Sequence, residues 1–229
     1  MAIAFDNSAP NNDPAVGTTD TVSYTVTGSN TAIVVGIQHT TSSNVSSITY
    51  DGVNLTQIHS NIVGEGTIRV DLWLLVGTST GANDLVVTVS ASDNFAYMIE
   101  SYTGVFDGGS TGGMDSSASL SEDSSGDHTI TYTTQSNNTC GAFYMRSQQN
   151  NTASTNVTFR ESDGSVVRAI GDNNSSGFGT AGSHSQVVNA GVSGPIAFVG
   201  VALSSTAPSA IKKRNTVEIA NIKTANTVE

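Results

Sequence analysis

The stretch from Ile48 to Val76, ITYDGVNLTQIHSNIVGEGTIRVDLWLLV, limits the fold of this chain more than any other. Ile48 and Tyr50 alternate with polar residues, Asp51-Gly52 interrupts, and Val53, Leu55 and Ile58 resume beyond. Asp-Gly between alternating apolar runs predicts a two-residue hairpin, because both turn positions of the favoured turn need a positive φ. Past Gly64-Glu65-Gly66, Ile68, Val70, Leu72 and Leu74 fall at period two, and Trp73, the only tryptophan, joins them in a continuous apolar run. A strand reads this way when it passes from half-covered to covered on both faces. The expectation is the centre of a β-sandwich, with Trp73 in its core.

The remaining chain extends the pattern. Ala2 to Phe5 predicts a short first strand, and the proline- and asparagine-rich run Asp6 to Thr18 a loop. Strands are expected at Thr21–Thr27, at Ala32–His39 (apolar enough to be central), at Leu85–Val89 and at Ala96–Val105. A strand about every ten residues with turn chemistry between is the all-β signature. Residues 107 to 127, DGGSTGGMDSSASLSEDSSGD, break that rhythm and predict a long loop, or a boundary between two domains. Further strands follow at His128–Thr134, Thr139–Arg146, Asn156–Arg160, Val166–Ile170, Ser185–Val188 and Ile196–Leu203. No helical spacing occurs before Pro208.

Charge divides the chain unevenly. Residues 1 to 210 hold seventeen acids, four arginines and no lysine, a net −13; the rest hold four bases and two acids, a net +2. A lysine-free acidic body excludes a phosphate-backbone binder, which needs clustered Lys and Arg. The tail after Pro208 reads as an appended arm in which Ile211, Lys212, Lys213, Arg214, Val217, Ile219, Ile222 and Lys223 supply charge and apolar contacts for a partner. Cys140 stands alone in an apolar strand, so a buried, inert thiol is expected and an intrachain disulfide is excluded. No Sec signal peptide is expected from MAIAFDNSAPNND, and no apolar run reaches the ~18 residues of a membrane helix.

A resemblance enters on four segments: Ile48-Thr-Tyr-Asp-Gly-Val-Asn-Leu-Thr56, Leu72-Trp-Leu-Leu-Val76, Asn83-Asp-Leu-Val-Val-Thr-Val89 and Ser101-Tyr-Thr-Gly-Val-Phe-Asp107. Their succession resembles a β-sandwich module of phage and bacterial surface proteins, over about residues 20 to 107. The resemblance implies a virion-associated or cell-surface structural module. Its motifs are turns and core strands, so no catalytic residue is carried over.

Patterns that carry chemistry are sparse. His39, His59, His128 and His184 have no metal-ligand spacing, and no Gly-x-Ser-x-Gly elbow occurs. Asp71 and Glu100 interrupt apolar strands and would be the carboxylate pair of a glycoside hydrolase. The alternation around each points it outward, so two solvated side chains are the expectation. Asp115, Glu122, Asp123 and Asp127 would offer oxygens to Ca²⁺, but the loop lacks the D-x-[DN]-x-[DN]-G pattern, and a solvated loop is expected, with no cofactor. Tyr102, Phe106, Phe178 and Trp73 are the aromatic platforms open to a sugar, Trp73 being better placed in the core.

These readings converge on an all-β protein: an antiparallel, jelly-roll-like sandwich of about twelve to fourteen strands over residues 1–208, with a basic C-terminal arm at 209–229. The expected function is non-enzymatic, as a structural protein exposed on a phage virion (capsid decoration, head-fibre or tail-associated). It would be homo-oligomeric and held to capsid or tail proteins by the arm, without nucleic-acid binding or membrane insertion. The alternative is a carbohydrate-binding module or adhesin on a bacterial surface, secreted by a non-Sec route, with a host-surface glycan as partner.

Overall fold

The computed structural model describes residues 2–63, 66–148, 150–163, 167–173 and 177–207, with the backbone alone at 11–15 and 190–193. Every regular element is a strand. The first half contains β1 (Ala4–Val26), β2 (Ala32–Thr40), β3 (Val45–Tyr50), β4 (Val53–Asn54), β5 (Thr56–Ile62), β6 (Ile68–Val76) and β7 (Gly81–Thr103). The second contains β8 (Met114–Thr134), β9 (Cys140–Ser147), β10 (Asn151–Ala153), β11 (Thr158–Ser162), β12 (Arg168–Asp172) and β13 (Gly182–Leu203). The predicted hairpin is present: Asp51 and Gly52 take φ of 50° and 74°, the turn joining β3 to β4.

All pairing is antiparallel, in two sheets of one topology. The first runs β4-β3-β7-β2-β6-β5 with β1 also on β7; the second runs β10-β13-β9-β12-β11 with β8 also on β13. In each half the long first strand lies along the whole of the long last strand, and the second strand sits between the last and the penultimate one. The agreement extends to irregularities. A bulge falls at Ile58 between β5 and β6 and at Arg160 between β11 and β12. Another puts Asp6 in β1 and Asp115 in β8 at matching places. Asp6 then accepts the backbone N–H of Thr27, and Asp115 those of Gln135 and Ser136, each tying the start of a long strand to its far end. Asn30 and Asn138 both turn the chain with φ near 54° (53° and 54°). The chain is therefore a tandem of two copies of one β-sandwich.

Each long strand folds its half over itself. Shifts near Asn11–Thr19 in β1 and Ala190–Gly194 in β13 let the two ends belong to opposite layers. The first sandwich closes on Tyr24, Ile33, Ile48, Trp73, Leu85 and Phe95, and the second on Ile130, Tyr132, Phe143, Met145, Val188 and Phe198. A third core lies between the halves: Val34, Leu72, Leu74 and Met98 from one, Ala142, Tyr144, Ile170 and Val199 from the other. Across this seam β2 meets β9, β1 meets β11 as β8 meets β5, and β7 meets β12 as β13 meets β6. Matched exchange of this kind is what a two-fold axis imposes on an isologous interface. The seam is a pseudo-two-fold interface within one chain.

Three sequence expectations change. Asp6 to Thr18 is strand, not loop: β1 passes through Pro10 and Pro14 as a strand whose ladder partner is β7, where a missing N–H on the other side costs little. Residues 107 to 127 are not one long loop either, since β8 begins at Met114 and its Ser/Asp-rich part follows β13 residue by residue. Long-range pairing there overrides weak local propensity. Finally, the strand pairs expected at 85–89 and 96–105, and at 185–188 and 196–203, are single strands, β7 and β13.

Candidate functional site

The expected arm residues Ile211, Lys212, Lys213, Arg214, Val217, Ile219, Ile222 and Lys223 lie outside the described residues. What precedes them is informative. β13 has β8 along one side and β9 and β10 along the other, so the last strand of the body has both edges occupied. Among the described residues, every strand of the first sandwich except two-residue β4 has its counterpart in the second.

The two copies differ at some positions for reasons of packing and at others in chemistry. Some differences are compensations: Val35 faces Trp73 across β2 and β6, and the equivalent pair in the second half is Phe143 and Gly171. The large side chain has changed strand and the core stays filled. Two places differ in chemistry.

The first is the seam. Glu100 lies between Met98 and Tyr102 on the seam face of β7 and is fully buried, which corrects the expectation of an outward side chain. A sheet covered on both faces has no outward side. Around it stand Tyr102, Cys140, Asp172 and Arg160; Arg160 pairs with Asp172 through Nε (3.1 Å) and Nη2 (3.1 Å) and covers the Phe5 ring at 4.2 Å. Neither Glu100 oxygen has a well-formed hydrogen bond, although the Tyr102 hydroxyl is near enough to favour the charged form. Burial first, and then the Asp172 carboxylate, hold the Glu100 acid well above its ordinary range. Burial likewise pushes the Cys140 thiol up, which makes it the inert thiol expected from sequence. At the pseudo-symmetric positions the other side of the seam carries Val201, Leu203, Ala32, Leu74 and Ile58. The polar set belongs to one side only.

The second is the end of the first sandwich. Asp71, also expected outward, is buried at 1% exposure beside His39 at 2%. His39 Nδ1 contacts the Thr40 carbonyl at 2.9 Å and Nε2 contacts Asp71 Oδ2 at 3.2 Å. A carbonyl only accepts, so Nδ1–H is the donor there, and the second contact needs a proton between ring and carboxylate. Asp71 Oδ1 and Gln38 Oε1 are buried without a hydrogen-bond partner. Nearby, Asp93 accepts from the Thr40 N–H, the Asn94 N–H and the Ser43 hydroxyl, which together draw its acid below the usual range against the opposing effect of burial. Gln38, His39, Thr40, Ile68 and Asn94 line a cavity of about 220 Å³. In the second sandwich Gln38, His39 and Asp71 correspond to Arg146, Ser147 and Ala169.

The other sequence candidates disperse. Asp71 and Glu100 face different cores, so they form no carboxylate pair across a cleft. The acids of 115–127 are spread along β8 and engaged separately: Asp115 with Gln135 and Ser136, Glu122 with His128 at 2.6 Å, Asp127 with Asn189 at 2.7 Å. Among the described residues no three His, Cys, Asp or Glu side chains gather as metal ligands. Trp73 and Tyr102 are core residues, and Phe178 is held between His184, stacked at 4.8 Å, and Tyr132. His39 with Gln38 was missed by sequence reasoning; a polar pair ending an otherwise apolar central strand was the available signal.

No protein-family model matches the chain, and no curated protein matches it.

Proposed function

We propose that this chain is a non-enzymatic structural protein, exposed on a phage particle and anchored to it, or to further copies of itself, through the basic arm after Pro208. The observation that supports this reading is the completeness of the body. Residues 2–207 supply both copies of the sandwich, and both edges of β13 are taken before the arm begins. A segment of opposite charge that follows a finished −13 body suits strand addition or electrostatic docking on a neighbour. The body suits exposure: β8 turns Ser117, Ser119, Ser121, Thr129, Thr131 and Thr133 outward, and the end of β1 does the same with Thr21, Ser23 and Thr25. Repetition of the protein over a particle would give avidity to a contact that is weak singly.

The test is the mass in solution, by light scattering, of the full chain and of residues 1–207. A defined oligomer that falls to monomer on truncation supports arm-mediated assembly. An oligomer that persists without the arm places the contacts on the body and contradicts the anchor.

A further inference from the structure

We propose that Arg146 and Arg168, side by side at one end of the seam, bind a small oxyanion, a phosphate or a carboxylate. The inference is independent of the arm.

Position is the first argument. Arg146 of β9 and Arg168 of β12 are directly opposed partners in an antiparallel ladder. By alternation they follow Tyr144 and Ile170 on the seam face, where the two strands run out of the core. Like charges directly opposite each other destabilise a sheet. Residues 1 to 210 hold four arginines and no lysine, so two of the four in one cross-strand pair is not a product of abundance.

Unmet hydrogen bonding is the second. Asp163, the acid beside the pair, is already engaged: Oδ1 accepts the N–H groups of Val167 (2.8 Å) and Arg168 (3.2 Å), and Oδ2 accepts Arg168 Nε (3.1 Å). Arg146 has no such partner among the described residues, and its Nε and Nη1 are buried unbonded. Burial first, and Arg168 further, work against its charge. Burial raises the Tyr144 phenol, Arg168 and Arg146 oppose that rise and Asp163 adds to it, so all four groups share one neighbourhood. The Tyr144 hydroxyl is unbonded as well. Two guanidiniums and one carboxylate leave one positive charge without a counterpart. A single oxyanion answers both deficits, since guanidiniums form strong charge-assisted bonds with carboxylate and phosphate alike.

Access is the third. Arg146 and Arg168 are both partly exposed, and the Arg168 and Asp163 side chains are 14% and 15% exposed. The closed edge of Arg146 is Nε and Nη1; Nη2 and the Nη groups of Arg168 are left to meet a solute. Duplication supplies an internal control. The first sandwich has Gln38, Val70 and Asn61 where the second has Arg146, Arg168 and Asp163. The sandwich therefore folds with a neutral set at this place, and the unpaired charge is a cost that one copy bears and the other does not.

The experiment titrates the full chain with sodium phosphate and, separately, with sodium acetate, at neutral pH and at constant ionic strength made up with chloride. Calorimetry and the arginine Nε–H resonances in heteronuclear NMR are the readouts. The expected result is millimolar or tighter binding of at least one of the two anions, with a shift of the Arg146 resonance. Tighter binding of phosphate assigns a phosphate group to the site, and tighter binding of acetate a carboxylate. Arg146→Gln, which copies Gln38, should weaken binding tenfold or more, and in chloride alone its unfolding midpoint should equal or exceed that of the parent. The resonance shift is read on the parent, so the outcome does not hang on the variant. Residues 1–207 should bind as the full chain does, which separates this inference from the anchor reading. Binding of neither anion above the chloride background overturns it, as does binding that leaves the Arg146 resonance in place or that Arg146→Gln leaves unchanged.

Discussion

Gly36 and Tyr144 occupy equivalent positions in the two sandwiches and meet each other across the seam: a Cβ on Gly36 would lie 2.0 Å from Tyr144 Cγ. A residue that touches its own counterpart marks the pseudo-two-fold axis. The axis is filled by one large and one absent side chain, since two tyrosines would collide and two glycines would leave a void. Gly36→Ala should therefore cost about 1–3 kcal/mol or more, as overpacking does. Tyr144→Leu in the same chain should restore part of the loss, a coupling that a double-mutant cycle in urea measures directly. Additive effects would mean that the two residues do not share the site.

Tyr144 carries a second prediction. Its hydroxyl is buried with no partner, and burial pushes the phenol well above its usual range. Tyr144→Phe keeps the ring against Gly36 and removes the unpaired group, so stability should be unchanged or rise by about 1 kcal/mol. Urea midpoints decide; a loss beyond 1 kcal/mol would show that the hydroxyl has a partner after all.

Glu100 makes the seam sensitive to pH. Burial, and after it the Asp172 carboxylate, raise the folded-state acid above its ordinary value of 4.5. Between that value and the raised one, the folded chain keeps a proton that the unfolded chain has released. Stability then falls as pH rises through this window, by at most about 1.4 kcal/mol per pH unit, and is flat above the folded value. Glu100→Gln cannot ionise and should lose this slope, so the variant gains on the parent as pH goes from 5 to 8. Unfolding free energies of both at several pH values give the difference, and parallel curves would contradict the assignment.

Arg160 ties the halves together by pairing with buried Asp172 and covering Phe5. Arg160→Ala leaves that carboxylate uncompensated and should cost about 3 kcal/mol. Asp172→Leu, which copies Leu74 at the equivalent position, should combined with Arg160→Ala recover most of it. Thermal unfolding of the single and double variants is the measurement.

Much of the fold could be read from local pattern. Asp51-Gly52 marked a turn because few other pairs accept two positive φ values, and the unbroken run at Leu72–Val76 marked a strand covered on both faces. The same covering is why Asp71 and Glu100 were misread: period two assigns a side, but on a sheet between two cores both sides are inside. The first part of β8, residues 114–127, was hidden because Ser, Asp and Gly carry no apolar period, and only its partner β13 makes it a strand, whereas the last part was legible as His128–Thr134. The duplication was faintly visible. Thr21, Tyr24, Thr25, Asn30 and Thr31 recur at a spacing of 108 as Thr129, Tyr132, Thr133, Asn138 and Thr139. Exchanges such as Val35 and Trp73 for Phe143 and Gly171 preserve volume while erasing identity, so the repeat survives in register and not in sequence.

The most direct measurement of the account is thermal unfolding of residues 1–207 beside the full chain. If the two sandwiches are complete before the arm, the shortened chain unfolds cooperatively with a midpoint within about 2–4 °C of the parent, the shift expected of no more than ~1 kcal/mol at this size. Loss of the cooperative transition, or a much lower midpoint, would make the last residues part of the core and contradict a body that is finished before residue 208.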